Sequence, residues 1–283
     1  MALFAWIDRL CGGRARPALA VAEVVLDPSL APEPGQALCL VGDIHGRLDL
    51  LQLLLLRHSE SFADHRLVFL GDAVDRGPDS AGVLHRLQEL AGQGAVVLRG
   101  NHEAMFLDFL DDPADVAGVR WLSHGGRECL ESYGVAVPPE AMQRAEPEDV
   151  AAVVAGAQAR LAARDALRAV MGAADEAWLR ALPCLWQSGD LVAAHAGMTL
   201  VLPPDQQTED MLLWNNPTRV QGRRPDGLWV AHGHVISDEA YIRDGRIALD
   251  TGAYASGVLS YALVGPGRVK IRLGAVKGAR RPG

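Results

Sequence analysis

Hydrophobic residues in this chain come in short blocks that stop at glycine followed by a polar side chain. Residues 37–41 form one such apolar run, ending at Gly42-Asp43, as a buried strand of an α/β sheet does. Leu48, Leu50, Leu51, Leu53, Leu54, Leu55 and Leu56 follow closely and predict a helix pressed against that sheet, since the block is too short for the roughly 20 residues of a membrane span. The pattern then repeats. Residues 67–70 predict a strand ending at Gly71-Asp72, residues 80–90 a helix, and residues 95–98 a strand ending at Arg99-Gly100-Asn101-His102. Open α/β sheets bind ligands outside the carboxyl ends of their strands, so Asp43, Asp72 and Asn101 are expected to converge although they lie far apart in the chain.

The remainder divides in two. Residues 104–182 read as mainly helical, with an alanine-rich, glycine-poor stretch over 150–182 that suits a cap or outer layer. From residue 191 the apolar runs shorten and turn residues multiply, predicting strands at 191–194, 228–231, 241–242, 246–249, 258–264 and 269–273. Residues 13–36 are rich in Pro, Gly and Ala and read as a connector. The expected organisation is therefore an N-terminal extension and linker over 1–36, a catalytic body over 37–275 and a tail over 276–283. Within the extension, Leu3, Phe4, Trp6, Ile7 and Leu10 recur at helical spacing beside Asp8 and Arg9. That segment lacks a basic n-region and a strongly basic face, so it reads as a docking helix or a disordered stretch in preference to a signal peptide or membrane-surface helix.

Composition removes several classes. A chain of 283 residues, 49% hydrophobic and 22% charged, can bury a large core and is not intrinsically disordered. Its 27 Lys and Arg against 35 Asp and Glu give a net charge of −8, which argues against nucleic acid or an anionic membrane as partner. No apolar run is long enough for integral membrane association. The four cysteines, Cys11, Cys39, Cys129 and Cys184, form no CxxC pair and fit a reducing, cytoplasmic setting.

Five fragments carry candidate chemistry: Gly42-Asp43-Ile44-His45-Gly46, Gly71-Asp72-Ala73-Val74-Asp75-Arg76-Gly77, Gly100-Asn101-His102-Glu103, His195-Ala196-Gly197 and His232-Gly233-His234. Each sets glycine, which permits tight turns and close backbone approach, beside Asp, Asn or His donors with no thiolate. A hard or borderline dication is implied: Mn, Fe, Zn or Mg. A lone Gly-Asp is usually a turn, but five such fragments in order are not coincidence.

This ordered set resembles the phosphoprotein phosphatase branch of the metallophosphoesterases, which contains serine/threonine protein phosphatases and symmetrical diadenosine tetraphosphate hydrolases. The resemblance runs from about residue 38 to 264, and 249–253 also looks like bacterial members. It implies an α/β fold, a two-sheet β-sandwich flanked by helices with a helical cap, and two divalent metal ions, Mn foremost. Asp43 and His45 would hold the first metal, Asp72 would bridge, and Asn101, His195 and His234 would complete the second, with His234 preferred to His232. Two cations about 3.5–4 Å apart neutralise phosphate and activate a bridging hydroxide for in-line attack. His102 is then the implied general acid, Asp75 its hydrogen-bond partner, and Arg76, with Asn101, a contact to phosphate.

In one place the chain departs from the pattern. Bacterial relatives carry arginine two residues after the tryptophan of a Leu-Leu-Trp segment, where this sequence has Trp214-Asn215-Asn216. Arg219 is the nearest replacement for substrate binding, with Arg223 and Arg224 behind it. The low aromatic content, 5%, leaves few surfaces for stacking a base, with Trp121, Trp186, Trp214 and Tyr254 as the candidates. On that ground the sequence favours a serine/threonine-type protein phosphatase acting on a phosphoprotein or small phosphoester. Dinucleoside polyphosphate hydrolysis is the alternative, and an inactive binding scaffold a more distant third.

Overall fold

The computed structural model describes residues 22–279 except 147 and 220, and the side chain of Arg219 is also outside the described residues, as is the apolar stretch over 3–10. Eleven strands are described: β1 (Ala22–Val25), β2 (Leu38–Val41), β3 (Arg66–Phe69), β4 (Val96–Val97), β5 (Leu185–Ser188), β6 (Leu191–Ala194), β7 (Trp229–His232), β8 (Tyr241–Arg243), β9 (Arg246–Ala248), β10 (Val258–Val264) and β11 (Lys270–Lys277). They build a six-stranded sheet in the order β1-β11-β10-β2-β3-β4 and a five-stranded sheet in the order β5-β6-β7-β9-β8. The first is parallel across β2, β3 and β4, the second across β6, β7 and β9, and the remaining pairings are antiparallel.

Alternation along each strand sorts the core into layers, because successive side chains point to opposite faces. Leu38 and Leu40 of β2 and Val68 of β3 meet Leu191 and Ala193 of β6, Trp229 and Ala231 of β7 and Ile247 of β9 between the two sheets. Cys39, Val41, Leu67 and Phe69 face the other way, onto helices. Those helices are α1 (Leu48–Ser61), α2 (Ser80–Gly92), α3 (Asn101–Asp111), α4 (Val116–Trp121), α5 (Arg127–Ser132), α6 (Pro139–Met142), α7 (Val150–Met171) and α8 (Ala173–Arg180). Leu50, Leu51 and Leu54 of α1 are fully buried there, each contributing roughly 1.5–3 kcal/mol by removal from water. Across the second sheet, Val192, Ala194 and Val230 pack on Leu212 and Leu213 of α9 (Glu209–Trp214). A last short helix, α10 (Ala253–Ser256), precedes β10. The expected two-sheet architecture flanked by helices is present, and 104–182 is largely helical as read.

The segment read as extension and linker does more than connect. Ala22–Val25 pairs antiparallel with Ile271 and its neighbours on β11, so part of 1–36 belongs to the first sheet. That strand is mostly exposed and carries no buried face, which removes the periodic signal from which a strand is read. At the other end β11 runs on to Lys277, past the expected boundary at 275, and Arg47 donates to the carbonyl of Ala279. Among the described residues no helix is long and apolar enough to cross a membrane.

Candidate metal centre

Parallel strands share a carboxyl edge. β2, β3 and β4 therefore deliver Asp43, Asp72 and Asn101 together, while β6, β7 and β9 deliver His195, His234 and Asp250 from the facing sheet. The loops are tightly wound. His45, Asp72, Asp75, Arg76 and His234 all have positive φ, between 46° and 71°, a conformation that costs non-glycine residues energy and gathers at functional sites. Glycine makes the close approaches possible: a Cβ on Gly100 would overlap the backbone and carboxylate of Asp72, and one on Gly233 would overlap the carboxylate of Asp43.

Two buried groups of side chains can each hold a metal ion, His45 with Asp72 and His102, and Asp43 with Asp72 and His195, their donor atoms within 4.8 Å of one another. Asp72 is common to both. His195 Nδ1 lies 3.0 Å from the carbonyl of Leu70 and so carries the ring proton, leaving the Nε2 lone pair 2.8 Å from Asn101 Oδ1 and 3.3 Å from Asp72 Oδ1. His45 repeats the arrangement, with Nδ1 on the carbonyl of Val74 at 2.7 Å and Nε2 3.5 Å from Asp72 Oδ2. His234 places Nδ1 3.0 Å from Asn101 Oδ1, while its backbone N–H donates to Asp43. His232 instead turns its Nδ1 to the carbonyl of Gly233, so of the two it is His234 that joins the cluster.

These are acceptors facing acceptors, and a dication satisfies them. Burial holds His45 well below the ordinary imidazole value and lowers His195 and His234 to about 3, so the rings are neutral and offer lone pairs. Burial, then the charges of Asp250 and Asp72, push the Asp43 carboxyl well up, and burial pushes Asp72 up to about 6. Such a cluster of crowded carboxylates and neutral imidazoles, with oxygen and nitrogen donors alone, fits two divalent cations.

In the first of the two groups, His102 Nδ1 lies 2.6 Å from Asp75 Oδ2. Asp75 is 0% exposed and also accepts from the indole N–H of Trp121 at 3.0 Å, so it is no surface ion-pair residue. Arg76 spreads its fork between His102 Nε2 at 2.9 Å and His45 Nε2 at 3.2 Å, with its guanidinium over the ring of Tyr254 at 4.8 Å. The sequence did not reveal the place of Trp121: it is fully buried, stacked on Phe106, and serves no base as a platform. Arg223 and Arg224 lie elsewhere too. Arg224 is buried and bonds the carbonyls of Thr199 and Leu202, and Arg223 sits over Trp229 and bonds the carbonyl of Leu30. Asn216, at the position of the missing arginine, spends its Oδ1 on the backbone and hydroxyl of Thr218.

Two further residues carry the site without having been assigned a role. Asp250, at the end of β9, faces Asp43 and raises its carboxyl. Glu103 accepts four backbone N–H groups, from Gly100, Asp72, Ala73 and Val74, and thereby ties two ligand loops together. Its reach back to Gly100 is half a capping box, so a glutamate three residues after a helix start was the available signal.

The family model described as calcineurin-like phosphoesterase matches residues 38–251, which is most of the chain. The chain belongs to that family. Among curated relatives, this phosphoesterase is 40% identical over 87 residues to "Serine/threonine-protein phosphatase 1" of Salmonella typhimurium, covering 31% of this chain and 38% of the relative. A protein named "Bis(5'-nucleosyl)-tetraphosphatase, symmetrical" from Ralstonia nicotianae is 27% identical over 252 residues, covering 78% of this chain and 87% of the relative. The phosphoesterase thus spans about two fifths of the first curated relatives it matches, a tetraphosphatase among them, and 87% of the Ralstonia nicotianae protein. Solved structures share its fold: one provisionally described as a diadenosine tetraphosphatase has a TM-score of 0.57 at 22% identity, covering 88% of this chain and 96% of that one. A serine/threonine phosphatase from Saccharomyces cerevisiae has 0.51 at 15%, covering 88% and 82%.

Proposed function

We propose that this dinuclear metal phosphoesterase hydrolyses a dinucleoside polyphosphate at a phosphoanhydride bond. The observation that carries the choice is the similarity to the Ralstonia nicotianae tetraphosphatase, which extends over 78% of this chain. It outweighs the preference drawn from aromatic content, which the structure does not weaken: Trp121 is buried, Trp186 lies under Arg66, and the ring of Tyr254 lies under Arg76. The 40% identity to a serine/threonine phosphatase over 87 residues supports protein dephosphorylation as a second reading.

In this reading Asp43, His45, Asp72, Asn101, His195 and His234 hold two divalent cations, with Asp72 shared. Those ions, when bound, supply neutralisation of phosphate charge and activation of water near neutral pH. Arg76 presents a planar pair of N–H groups to phosphoryl oxygens. In doing so it releases His102 Nε2, which then holds a proton for the departing oxygen while Asp75 supports the imidazolium through Nδ1. A nucleoside diphosphate leaves as a weak base and asks little of that proton, whereas a serine alkoxide asks much.

Side-by-side turnover of P1,P4-diadenosine tetraphosphate and of phosphoserine, phosphothreonine and phosphotyrosine peptides, with manganese present, tests the substrate. The tetraphosphate is expected to have the higher kcat/KM, with ADP as product; a preference for the peptides overturns the assignment. Trp121→Phe tests the support of the acid. The ring stack on Phe106 survives while the N–H to Asp75 is lost, so we expect a roughly ten-fold lower kcat for phosphoserine peptide and a smaller loss for the tetraphosphate. Equal losses on both would remove His102 from the role.

A further inference from the structure

A second cationic group comes from the cap, one residue before the Trp121 that bonds Asp75, at a position that no motif marks. Arg120, in α4, is exposed and lays its guanidinium over the ring of Trp214, 4.8 Å from the centroid, where Trp214 is 37% exposed at the end of α9. Both partners are tied to the site. On one side, the neighbouring Trp121 donates to Asp75, the carbonyl of Arg120 lies 2.7 Å from His124 Nδ1, and the carbonyl of Gly125 accepts from the N–H of Arg76. On the other, the carbonyl of Leu212 in α9 accepts from Ala196, which follows His195. Between Trp121 and Arg127 the chain kinks at His124 and Gly125, whose backbone is not helical, and Gly125 at φ 108° packs on Arg76. The Arg120–Trp214 pair therefore joins the segment that bonds Arg76 to the helix that bonds Ala196.

Among the described side chains the other candidates for phosphate are occupied: Arg223 and Arg224 hold loop carbonyls, and the neutral Asn216 is spent on a turn. Arg120 has the indole face as its described partner, with the exposed Asp108 within electrostatic range. Resting on a ring fixes the plane of a guanidinium while leaving its N–H edge for oxygen acceptors. Resting on the dinucleoside polyphosphate reading, we propose that Arg120, held by Trp214, is a specificity-determining residue that binds the phosphates beyond the one under attack. A substrate with a single phosphate does not reach it, and an extended polyphosphate does.

The test is inhibition of p-nitrophenyl phosphate hydrolysis by the full chain, with manganese in excess over nucleotide. The inhibitors are inorganic phosphate, ADP and P1,P4-diadenosine tetraphosphate. Arg120→Ala is expected to raise the inhibition constants of ADP and the tetraphosphate about ten-fold and that of inorganic phosphate less than two-fold. Arg120→Lys should recover part of the loss, and Trp214→Leu should mimic it. Equal shifts for all three inhibitors, or no shift, overturns the assignment. If the wild type is inhibited by ADP but does not cleave the tetraphosphate, the substrate reading fails while the ADP comparison still decides the role of Arg120.

Discussion

Asp72→Asn is expected to lower turnover by roughly three orders of magnitude and, in protein stripped of metal, to raise stability. Asn keeps an oxygen for the backbone N–H of His102, which Asp72 Oδ1 accepts at 3.0 Å, so the loop retains its shape. What disappears is the anionic oxygen common to both donor groups. Metal content after dialysis and kcat on p-nitrophenyl phosphate should fall together. Without metal the balance reverses. The Asp72 carboxyl titrates near 6 in the folded chain against an ordinary 3.8, chiefly through burial, so the folded chain binds that proton more tightly than the unfolded one. Stability from this group is present below pH 3.8 and is lost as pH rises to about 6, leaving a penalty on the order of 1–3 kcal/mol at pH 7. With its oxygen in the Oδ1 place, the amide NH₂ also donates toward the lone pair of His45, which the carboxylate only repels. Urea unfolding in chelator at pH 7 should show the variant more stable; a less stable variant, or one retaining wild-type turnover, contradicts the role given to Asp72.

The same trade accounts for what the sequence could and could not convey. Asp43, Asp72 and Asn101 were legible because each follows an apolar block at a strand end, and parallel pairing of β2, β3 and β4 alone brings them together. The choice of His234 over His232 was drawn from motif order, and the His234 ring lies 3.0 Å from Asn101 Oδ1. Other features depend on contacts between distant segments and leave no local mark. Ala22–Val25 becomes a strand only by pairing with β11, 245 residues or more away along the chain. Trp121 resembles any surface aromatic until Phe106 and Phe109 close over it and Asp75 takes its N–H. Arg120 is one of many exposed arginines until Trp214 arrives from the other half. Likewise, the motif around Asn101 included Glu103, but nothing within those four residues says that three of its four donors lie about 30 residues earlier.

Glu103 is where the largest loss of stability is expected. Its carboxylate is 0% exposed and faces N–H donors from two loops: Oε1 takes Ala73 and Val74 at 2.8 and 3.2 Å, and Oε2 takes Asp72 and Gly100 at 2.9 and 2.7 Å. Burial and the Asp72 charge push its carboxyl up, against the backbone N–H groups that favour the anion. A proton on either oxygen would set O–H against N–H, so four donors specify an ionised acceptor. Glu103→Leu leaves all four donors buried without a partner, each a penalty of roughly 1–3 kcal/mol before relaxation. Because the donors share one partner the losses are not additive, and we expect about 3–5 kcal/mol in total. Glu103→Gln is the sharper variant. It keeps the shape but turns one acceptor pair into an amide NH₂ facing N–H groups, so it should cost about 2–4 kcal/mol, or a fall of roughly 5–15 °C in Tm. A purely space-filling Glu103 would make Gln nearly neutral. Activity supplies the second reading, since both loops carry proposed ligands: the folded fraction of Glu103→Gln should bind manganese more weakly than wild type. A stable Gln variant with unchanged metal affinity would mean that the two loops hold their strained turns without this carboxylate.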